Sequence, residues 1–409
     1  MSASTSKSPD VIVIGGGIWG LSTAFHLAQR GGCRVRLLER NFDVAQETTI
    51  NAAGQVGQIR SSPVVTRAIA YALDLFESFP KQFGHDPGLH RCGSLFIGLN
   101  SDRLSYFTNQ IAKGRANGLQ VDDVSRAEMA SLVPGLAVDR IEGGYFVHGD
   151  GYLDSVKAAR ALAGAAASLG TDIRLGTRVT GIRIESGRAV GVETTVGFMP
   201  SGSVVVAAGP WTALIAKQLG ITLPSQPIRH QRVKTMPYTG LVPHHPVLRV
   251  PDLSCYVRPE AGSLIYGHFE REPDAFDLET LPASFHTADL DPPVDVMSRA
   301  QRELSALYPA IGELEVAEYR RGLITFAPDG GYVLGPTPEV NHLYFATGCA
   351  ALGIAGSAAV GKWISEWILD GAPAEDVSEF SPLRFGKLSP RDLKQQAREA
   401  YASYYAIKR

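Results

Sequence analysis

The segment that begins at Asp10 carries a pattern of glycines suited to binding phosphate groups. An apolar run at residues 11–14 is typical of a buried parallel strand, and glycines then fill a G-x-G-x-x-G motif at the start of a helix. The first glycine permits a tight turn, the second lets backbone N–H groups approach a pyrophosphate, and the third lets the helix pack on the strand. The helix N-terminus, with unpaired N–H groups and a positive dipole end, favours the phosphates. The pattern therefore predicts a dinucleotide site with contacts from Gly15, Gly17, Ile18, Trp19 and Gly20.

An acidic residue follows this motif at the distance that nucleotide recognition requires. Residues 35–38 are typical of a second strand, which ends at Glu39, next to Arg40. A carboxylate at this point accepts a hydrogen bond from the ribose 2′-hydroxyl, and its charge repels a 2′-phosphate, which disfavours NADP. Strand, glycines, helix, second strand and acid occur in order within about 30 residues, and this order is far more specific than glycine spacing alone.

Three later segments extend the pattern. A polar loop of small residues spans 48–57, a strand-to-glycine turn spans 204–211, and a glycine-rich segment at 348–356 leads into a helical stretch. In this order the four pieces resemble the D-amino-acid oxidase-like flavoprotein superfamily, and more closely its branch of sarcosine oxidase, dimethylglycine dehydrogenase and glycine oxidase. The resemblance covers residues 10–373 and implies FAD as the cofactor. It implies further FAD contacts from Thr48, Thr49, Asn51, Ala52, Ala53, Val179, Ala208, Gly209, Trp211, Gly330, Gly348, Gly353 and Ile354.

The chain departs from this branch at four positions. Monomeric sarcosine oxidases attach the flavin to a cysteine at the position of Gly322, and the dimethylglycine dehydrogenase group uses a histidine where Asn51 stands, so we expect non-covalent FAD. The family's lysine for oxygen activation matches Ile265, and the lysine that helps to hold the substrate carboxylate matches Ala355. Fast oxygen use and a sarcosine-like binding mode are therefore not predicted.

Oxidation of a C–N bond by a flavin makes few demands on side chains. The substrate carbon must lie about 3 to 3.5 Å from the ring with its amine uncharged, so that the nitrogen lone pair can form an imine as the hydride leaves. The lack of a Ser/His/Asp group or of paired carboxylates in the sequence is compatible with this chemistry, since no dedicated base is required.

Three residues are candidates for the catalytic pocket. Arg60 follows the 48–57 loop where the family has an arginine near the pocket, and its guanidinium suits a substrate carboxylate. Tyr256 aligns with a pocket tyrosine, and His268 lies on a strand whose side chains could face either way. Each has a structural alternative, namely a salt bridge for Arg60, a core aromatic for Tyr256 and a core or solvated histidine for His268.

Composition limits the other possibilities. The chain has 409 residues and is 44% hydrophobic, which allows two or three units and a large core. Its net charge of −2 comes from interspersed charges and argues against nucleic acid as a partner. The four cysteines are scattered without metal-site spacing, which predicts no disulfide framework, no metal and a reducing compartment. The polar N-terminal tail and the glycine-interrupted run after it predict neither a signal peptide nor a membrane span, so we expect a cytoplasmic protein.

The predicted organisation is an α/β fold with two domains. A discontinuous Rossmann-type FAD-binding domain is expected at 9–90, 146–224 and 320–409. A substrate domain built on a mainly antiparallel sheet is expected at 91–145 and 225–319, with strands at 94–98, 256–258 and 263–269. Charges and tyrosines at roughly helical spacing in 389–409 predict either a surface helix or a dimer helix, and the second alternative would give a homo-oligomer.

The leading functional expectation is an FAD-dependent oxidase or dehydrogenase of a secondary or N-methylated amine or amino acid, with oxygen or an electron carrier as acceptor. A second is a flavoenzyme that oxidises a D-amino acid or glycine. The remaining alternatives are an NAD-dependent reductase built on the first Rossmann unit alone, and a flavin-bearing subunit without turnover of its own.

Overall fold

The computed structural model describes residues 9–407. Its strands are β1 Val11–Ile14, β2 Val35–Leu38, β3 Gln55–Val56, β4 Leu89–His90, β5 Ser94–Gly98, β6 Val121–Val124, β7 Gly143–Val147, β8 Gly151–Leu153, β9 Asp172–Arg174, β10 Val179–Glu185, β11 Arg188–Thr194, β12 Gly197–Pro200, β13 Ser203–Val206, β14 Gln226–Pro237, β15 Val247–Val250, β16 Cys255–Glu260, β17 Ser263–His268, β18 Val316–Phe326, β19 Val333–Pro336 and β20 Leu343–Thr347. Its α-helices are α1 Ile18–Arg30, α2 Thr48–Asn51, α3 Pro63–Phe83, α4 Ser101–Ala116, α5 Arg126–Leu132, α6 Ser155–Ser168, α7 Thr212–Lys217, α8 Val294–Ser305, α9 Pro309–Glu313, α10 Ser357–Asp370 and α11 Pro390–Ala402. Short 3₁₀ turns lie at Val138–Arg140, Gly209–Trp211, Pro251–Leu253, Leu278–Thr280, Thr287–Asp289 and Ser378–Phe380.

The first layer of the fold is a six-stranded sheet in the order β19-β20-β13-β1-β2-β9, parallel except for β19. Strands β1 and β13 are buried along their whole length, as the β-branched runs predict for strands covered on both faces. Helices α1, α3, α6 and α10 contribute to the core on one face, and strands β10 and β11 contribute to the core on the other. This is the predicted Rossmann-type domain.

The second layer is an eight-stranded sheet in the order β18-β14-β17-β16-β15-β5-β7-β6. Only the β15–β5 pair is parallel, so the expectation of a mainly antiparallel sheet is confirmed. Helices α5, α8 and α9 cover one face with an apolar cluster, and the other face is turned towards the Rossmann-type domain.

The domain boundaries differ from the predicted ones at three points. The boundary at 145/146 divides β7, and the boundary at 319/320 divides β18, which pairs with β14 along nearly its whole length and belongs to the eight-stranded sheet. Helix α11 packs against β14 and β18, with Ala397 and Tyr401 fully buried. The described part of the 389–409 segment is therefore neither a free surface helix nor part of the Rossmann-type domain.

Within residues 9–407, no helix is both long and apolar enough to cross a membrane. The same residues contain no group of His, Cys, Asp or Glu side chains arranged to hold a metal ion. The predicted polar tail at residues 1–7 lies outside the described residues.

Candidate active site

One continuous cavity of about 590 Å³ runs from the carboxyl ends of β1 and β2 to the eight-stranded sheet. Most of the predicted site residues line it. They are Gly15, Gly17, Ile18, Trp19, Glu39, Arg40, Thr48, Thr49, Ala52, Ala53, Arg60, Val179, Ala208, Gly209, Trp211, Tyr256, Gly353 and Ile354.

The glycine turn has the geometry that a pyrophosphate needs. Gly15 has a φ of +112°, and a Cβ there would lie 2.5 Å from the carbonyl oxygen of Ala207. A Cβ on Gly20 would overlap the carbonyl oxygen of Gly15, which is the close helix–strand packing expected of the third glycine. Helix α1 begins after Gly17 without a side-chain cap and has no acidic residue in its first turn. These features fit the phosphates of FAD at the helix N-terminus.

Glu39 organises the end of the cavity beside β2, where the sequence predicts the adenosine, and we call this the adenosine end. Its Oε2 accepts a hydrogen bond from the N–H of Gly16 at 2.6 Å, and its Oε1 accepts one from the N–H of Asn41 at 2.8 Å. Burial raises the pKa of this carboxyl, while the two N–H donors favour its charged form. Beside it, the guanidinium of Arg40 lies over the ring of Trp211 at 4.0 Å.

A segment of the substrate domain covers this end of the cavity, and the sequence did not predict it. Five residues of the substrate domain line the cavity there, namely Leu278, Glu279, Leu281, Pro282 and Ala283. Glu47 holds the cover, because its carboxylate accepts from the N–H of Thr287 at 2.9 Å and lies 2.7 Å from Nδ1 of His286. Arg40 donates to the same carboxylate at 2.5 Å. The sequence offered no pattern linking these residues, since about 240 positions separate Glu47 from its partners.

The two positions where relatives attach the flavin are neighbours in space. A Cβ on Gly322 would lie 3.2 Å from the Cβ of Asn51. Asn51 donates through Nδ2 to the carbonyl of Glu47 at 2.8 Å, and Thr48 donates to the carbonyl of Leu323 at 2.7 Å. Asn51 lies behind the cavity wall rather than on it.

Four other predicted residues also lie off the cavity. Gly20 packs beneath Gly15, and Gly330 forms a turn with a φ of +70°. Gly348 donates its N–H to Oγ1 of Thr325 at 3.0 Å. His268 is half-buried near Glu303 of α8, where its Nδ1 lies 3.4 Å from Sγ of Cys255. His268 therefore lies away from the candidate active site, contrary to the prediction of a catalytic role.

The strand register explains the placement of His268. Tyr256 pairs with Gly267 across β16 and β17, so these two positions share one face of the sheet. Side chains alternate along a strand, and the next residue therefore points to the opposite face. The turn at Pro259–Gly262 could have fixed this register from the sequence.

Aromatic side chains form the opposite end of the cavity, where the sequence predicts the substrate, and we call this the substrate end. Tyr256 lies with its hydroxyl 3.1 Å from Nε2 of His230, whose Nδ1 lies 2.8 Å from the hydroxyl of Tyr401. Burial lowers the pKa of His230 to about 3, so its imidazole is neutral. Phe269 stacks on Tyr404, with ring centroids 4.2 Å apart and planes at 2°. Sequence reasoning missed His230, Phe269 and Tyr404.

Two arginines enter the same end. Arg60 lines the cavity as predicted, and Arg249, on β15, lines it beside Arg60. The buried carboxylate of Asp150 lies near both, and its Oδ1 accepts from the N–H of Gln58 at 2.9 Å. Arg249 donates through Nη1 to the hydroxyl of Tyr405 at 3.1 Å. The sequence gave no pattern for Arg249.

A cationic cluster lies behind the loop that carries Asn51. Arg232 donates through Nε to the carbonyl of Asn51 at 3.0 Å, and Arg258 donates through Nε to the carbonyl of Ala53 at 2.5 Å. Glu260 accepts from Arg258 at 2.9 Å. Ile265 is fully buried and pairs in register with Arg258. Both arginines are off the cavity wall and support the loop.

A glycine turn at the end of a parallel strand, opening into a cavity closed by an antiparallel sheet, is the arrangement expected of a flavin-dependent oxidoreductase. The chain belongs to the FAD dependent oxidoreductase family, whose pattern matches residues 10–367. FAD is accordingly its cofactor, which sets aside the NAD-dependent alternative.

Two known proteins and one crystal structure are similar to this chain over nearly its whole length. The chain is 29% identical to 4-methylaminobutanoate oxidase (formaldehyde-forming) of Paenarthrobacter nicotinovorans over 100% of its own length and 50% of that protein. It is 27% identical to mitochondrial dimethylglycine dehydrogenase of Homo sapiens over 96% of its own length and 46% of that protein. The chain thus spans about half the length of these relatives. The crystal structure of L-proline dehydrogenase from P. horikoshii is similar, with a TM-score of 0.83, 25% identity, and coverage of 93% of this chain and 99% of that chain.

Proposed function

We propose that this chain oxidises a C–N bond in a secondary or N-methylated amine that carries a carboxylate. The observation that carries the proposal is one continuous cavity that joins the glycine turn to a pocket containing Arg60. A guanidinium at that end suits a carboxylate, because its fork of N–H donors matches the two oxygens.

The chemistry divides between cofactor and protein. FAD, when bound, accepts a hydride from the carbon next to the nitrogen. The protein holds the substrate so that this carbon faces the flavin, and the aromatic wall formed by Tyr256, Phe269 and Tyr404 excludes water from the reacting bond. The nitrogen lone pair forms the C=N bond, and water then hydrolyses the imine to an amine and a carbonyl compound. Oxygen or an electron carrier takes up the two electrons.

The names of the relatives support this substrate class. 4-Methylaminobutanoate and dimethylglycine are N-methylated amino acids, and L-proline is a secondary amine with a carboxylate. We extend this shared chemistry to the present chain without choosing among the three compounds. We also propose that the reaction takes place in the cytoplasm.

An anaerobic bleaching screen tests the proposal. The purified holoenzyme is mixed without oxygen with N-methylated amino acids, cyclic secondary amino acids, D-amino acids, glycine and neutral amines. We expect loss of flavin absorbance with a secondary or N-methylated amino acid and not with its carboxamide. Bleaching by D-amino acids or glycine alone would favour the second expectation, and no bleaching at all would favour a subunit without turnover.

A further inference from the structure

Three polar side chains converge on Gly57, a buried residue without a side chain. A Cβ there would lie 3.3 Å from Nη2 of Arg60, 3.4 Å from Nη2 of Arg249 and 3.3 Å from Oδ2 of Asp150. The two guanidinium groups therefore stand side by side at the substrate end of the cavity, with one carboxylate between them and the protein interior.

These groups are not saturated by the protein. Within residues 9–407, the Nε atoms of Arg60 and Arg249 and the Oδ2 atom of Asp150 have no hydrogen-bond partner. Arg249 is only 5% exposed. Two cations facing one carboxylate leave one positive charge uncompensated, and a buried charge without a partner is costly. A single anionic group entering the cavity would remove this cost.

A residue outside β15 orients the side chain of Arg249. The hydroxyl of Tyr405 accepts from Nη1 at 3.1 Å. Tyr405 follows Tyr404, whose ring is fixed by stacking on Phe269. The segment after α11 thus directs the guanidinium of Arg249 into the cavity.

We infer that Arg249 is a second anchor that shares one substrate carboxylate with Arg60, while Asp150 and Tyr405 are positioning residues. This inference rests on the proposed function and deepens it, because the charge balance specifies an amino acid with a single carboxylate. Burial raises the pKa of Asp150, while the N–H of Gln58 and the guanidinium groups of Arg249 and Arg60 favour its charged form. In that charged form, one substrate carboxylate brings the group to neutrality, and a second carboxylate would leave an excess negative charge.

The test uses ligand binding rather than turnover, so it is independent of whether any amine bleaches the flavin. Oxidised holoenzyme is titrated with acetate and with acetamide, an uncharged ligand of similar shape, and binding is followed by flavin difference absorbance. Arg249→Met should weaken acetate binding at least tenfold and leave acetamide within twofold, as should Arg60→Met. Arg103→Met is the matched control, because Arg103 is equally buried, pairs with Asp252 and lies off the cavity. This control should bind acetate as the wild type does.

Two further variants keep the test decisive if Arg249→Met fails to fold. Arg249→Lys retains the charge without the fork and should weaken acetate about fivefold. Tyr405→Phe removes only the hydroxyl contact and should weaken acetate about threefold. Acetate binding within twofold of wild type in both variants would overturn the inference, as would equal losses for acetate and acetamide. Malonate binding tenfold more tightly than acetate would overturn the single-carboxylate assignment.

Discussion

The two ends of the cavity are built in different ways. At the adenosine end, both oxygens of Glu39 accept hydrogen bonds from backbone N–H groups, and the phosphate seat is a turn of glycines. At the substrate end, side chains from β15, β16 and the segment after α11 meet, and polar atoms of Arg60, Arg249 and Asp150 remain without partners. The predicted contacts to the phosphates and the ribose are therefore a local property of the backbone between Gly15 and Asn41, whereas the predicted substrate contacts depend on tertiary structure.

The largest expected effect concerns how the flavin is held. A covalent bond between the flavin and the protein would break this comparison. We predict that acid precipitation releases all of the flavin into the supernatant, because Gly322 and Asn51 supply no attachment atom. Flavin fluorescence that migrates with the denatured protein on a gel would contradict this prediction. Full release would mean that non-covalent contacts alone retain FAD.

Replacing Glu39 tests the adenosine end. Glu39→Ala should weaken FAD binding by about 1 to 3 kcal/mol, the scale of a hydrogen bond to a charged group, since the acceptor for the ribose is lost. Equilibrium dialysis of the apoprotein against FAD measures the change. Gln29→Ala, at an exposed position of α1, is the control. Unchanged FAD affinity in Glu39→Ala would show that the Glu39 carboxylate does not bind the ribose.

Replacing Arg60 tests the substrate end. Arg60→Lys should raise KM for a carboxylate substrate about tenfold, because a point charge does not reproduce the guanidinium fork. FAD content should stay the same, and this separates the two ends. Steady-state kinetics with a carboxylate substrate and its neutral analogue measure the effect. Equal kinetics in the two proteins, or a neutral amine as the best substrate, would remove the basis for the anchor.

The smallest expected effect concerns the electron acceptor. A cation beside the flavin stabilises superoxide as it forms. Ile265, where the family has a lysine, supplies none, and the neighbouring Arg232 and Arg258 are engaged with the carbonyls of Asn51 and Ala53. Turnover with a dye or quinone should therefore exceed turnover with air, and Ile265→Lys should speed reoxidation severalfold. Rapid mixing of the reduced enzyme with oxygen measures the rate directly. Fast reoxidation of the unmodified protein would show that the lysine is dispensable and would indicate an oxidase.

The sequence predicted the local features well. The strands at Val35–Leu38 and Ser94–Gly98 have the expected bounds. The glycine turn was equally accessible, because its function depends on backbone geometry within one short segment.

The substrate end was less predictable for physical reasons. Arg249 and Tyr405 lie 156 positions apart, and no periodicity connects them. The charges and tyrosines of the 389–409 segment indicated a surface or dimer helix, but such a pattern does not specify whether the helix packs on its own sheet or on a second copy. In the structure it packs on β14 and β18.

The strand order of the six-stranded sheet also has a consequence for how the protein is made. Strand β1 lies between β2 and β13, and β13 begins only at Ser203, while β20 follows much later still. Such distant pairing slows folding, because long loops must close before the contacts form. During synthesis the FAD site stays incomplete until Gly353 and Ile354 have left the ribosome. We therefore expect FAD to bind late in synthesis, because its predicted site combines segments of the chain that are translated far apart in time.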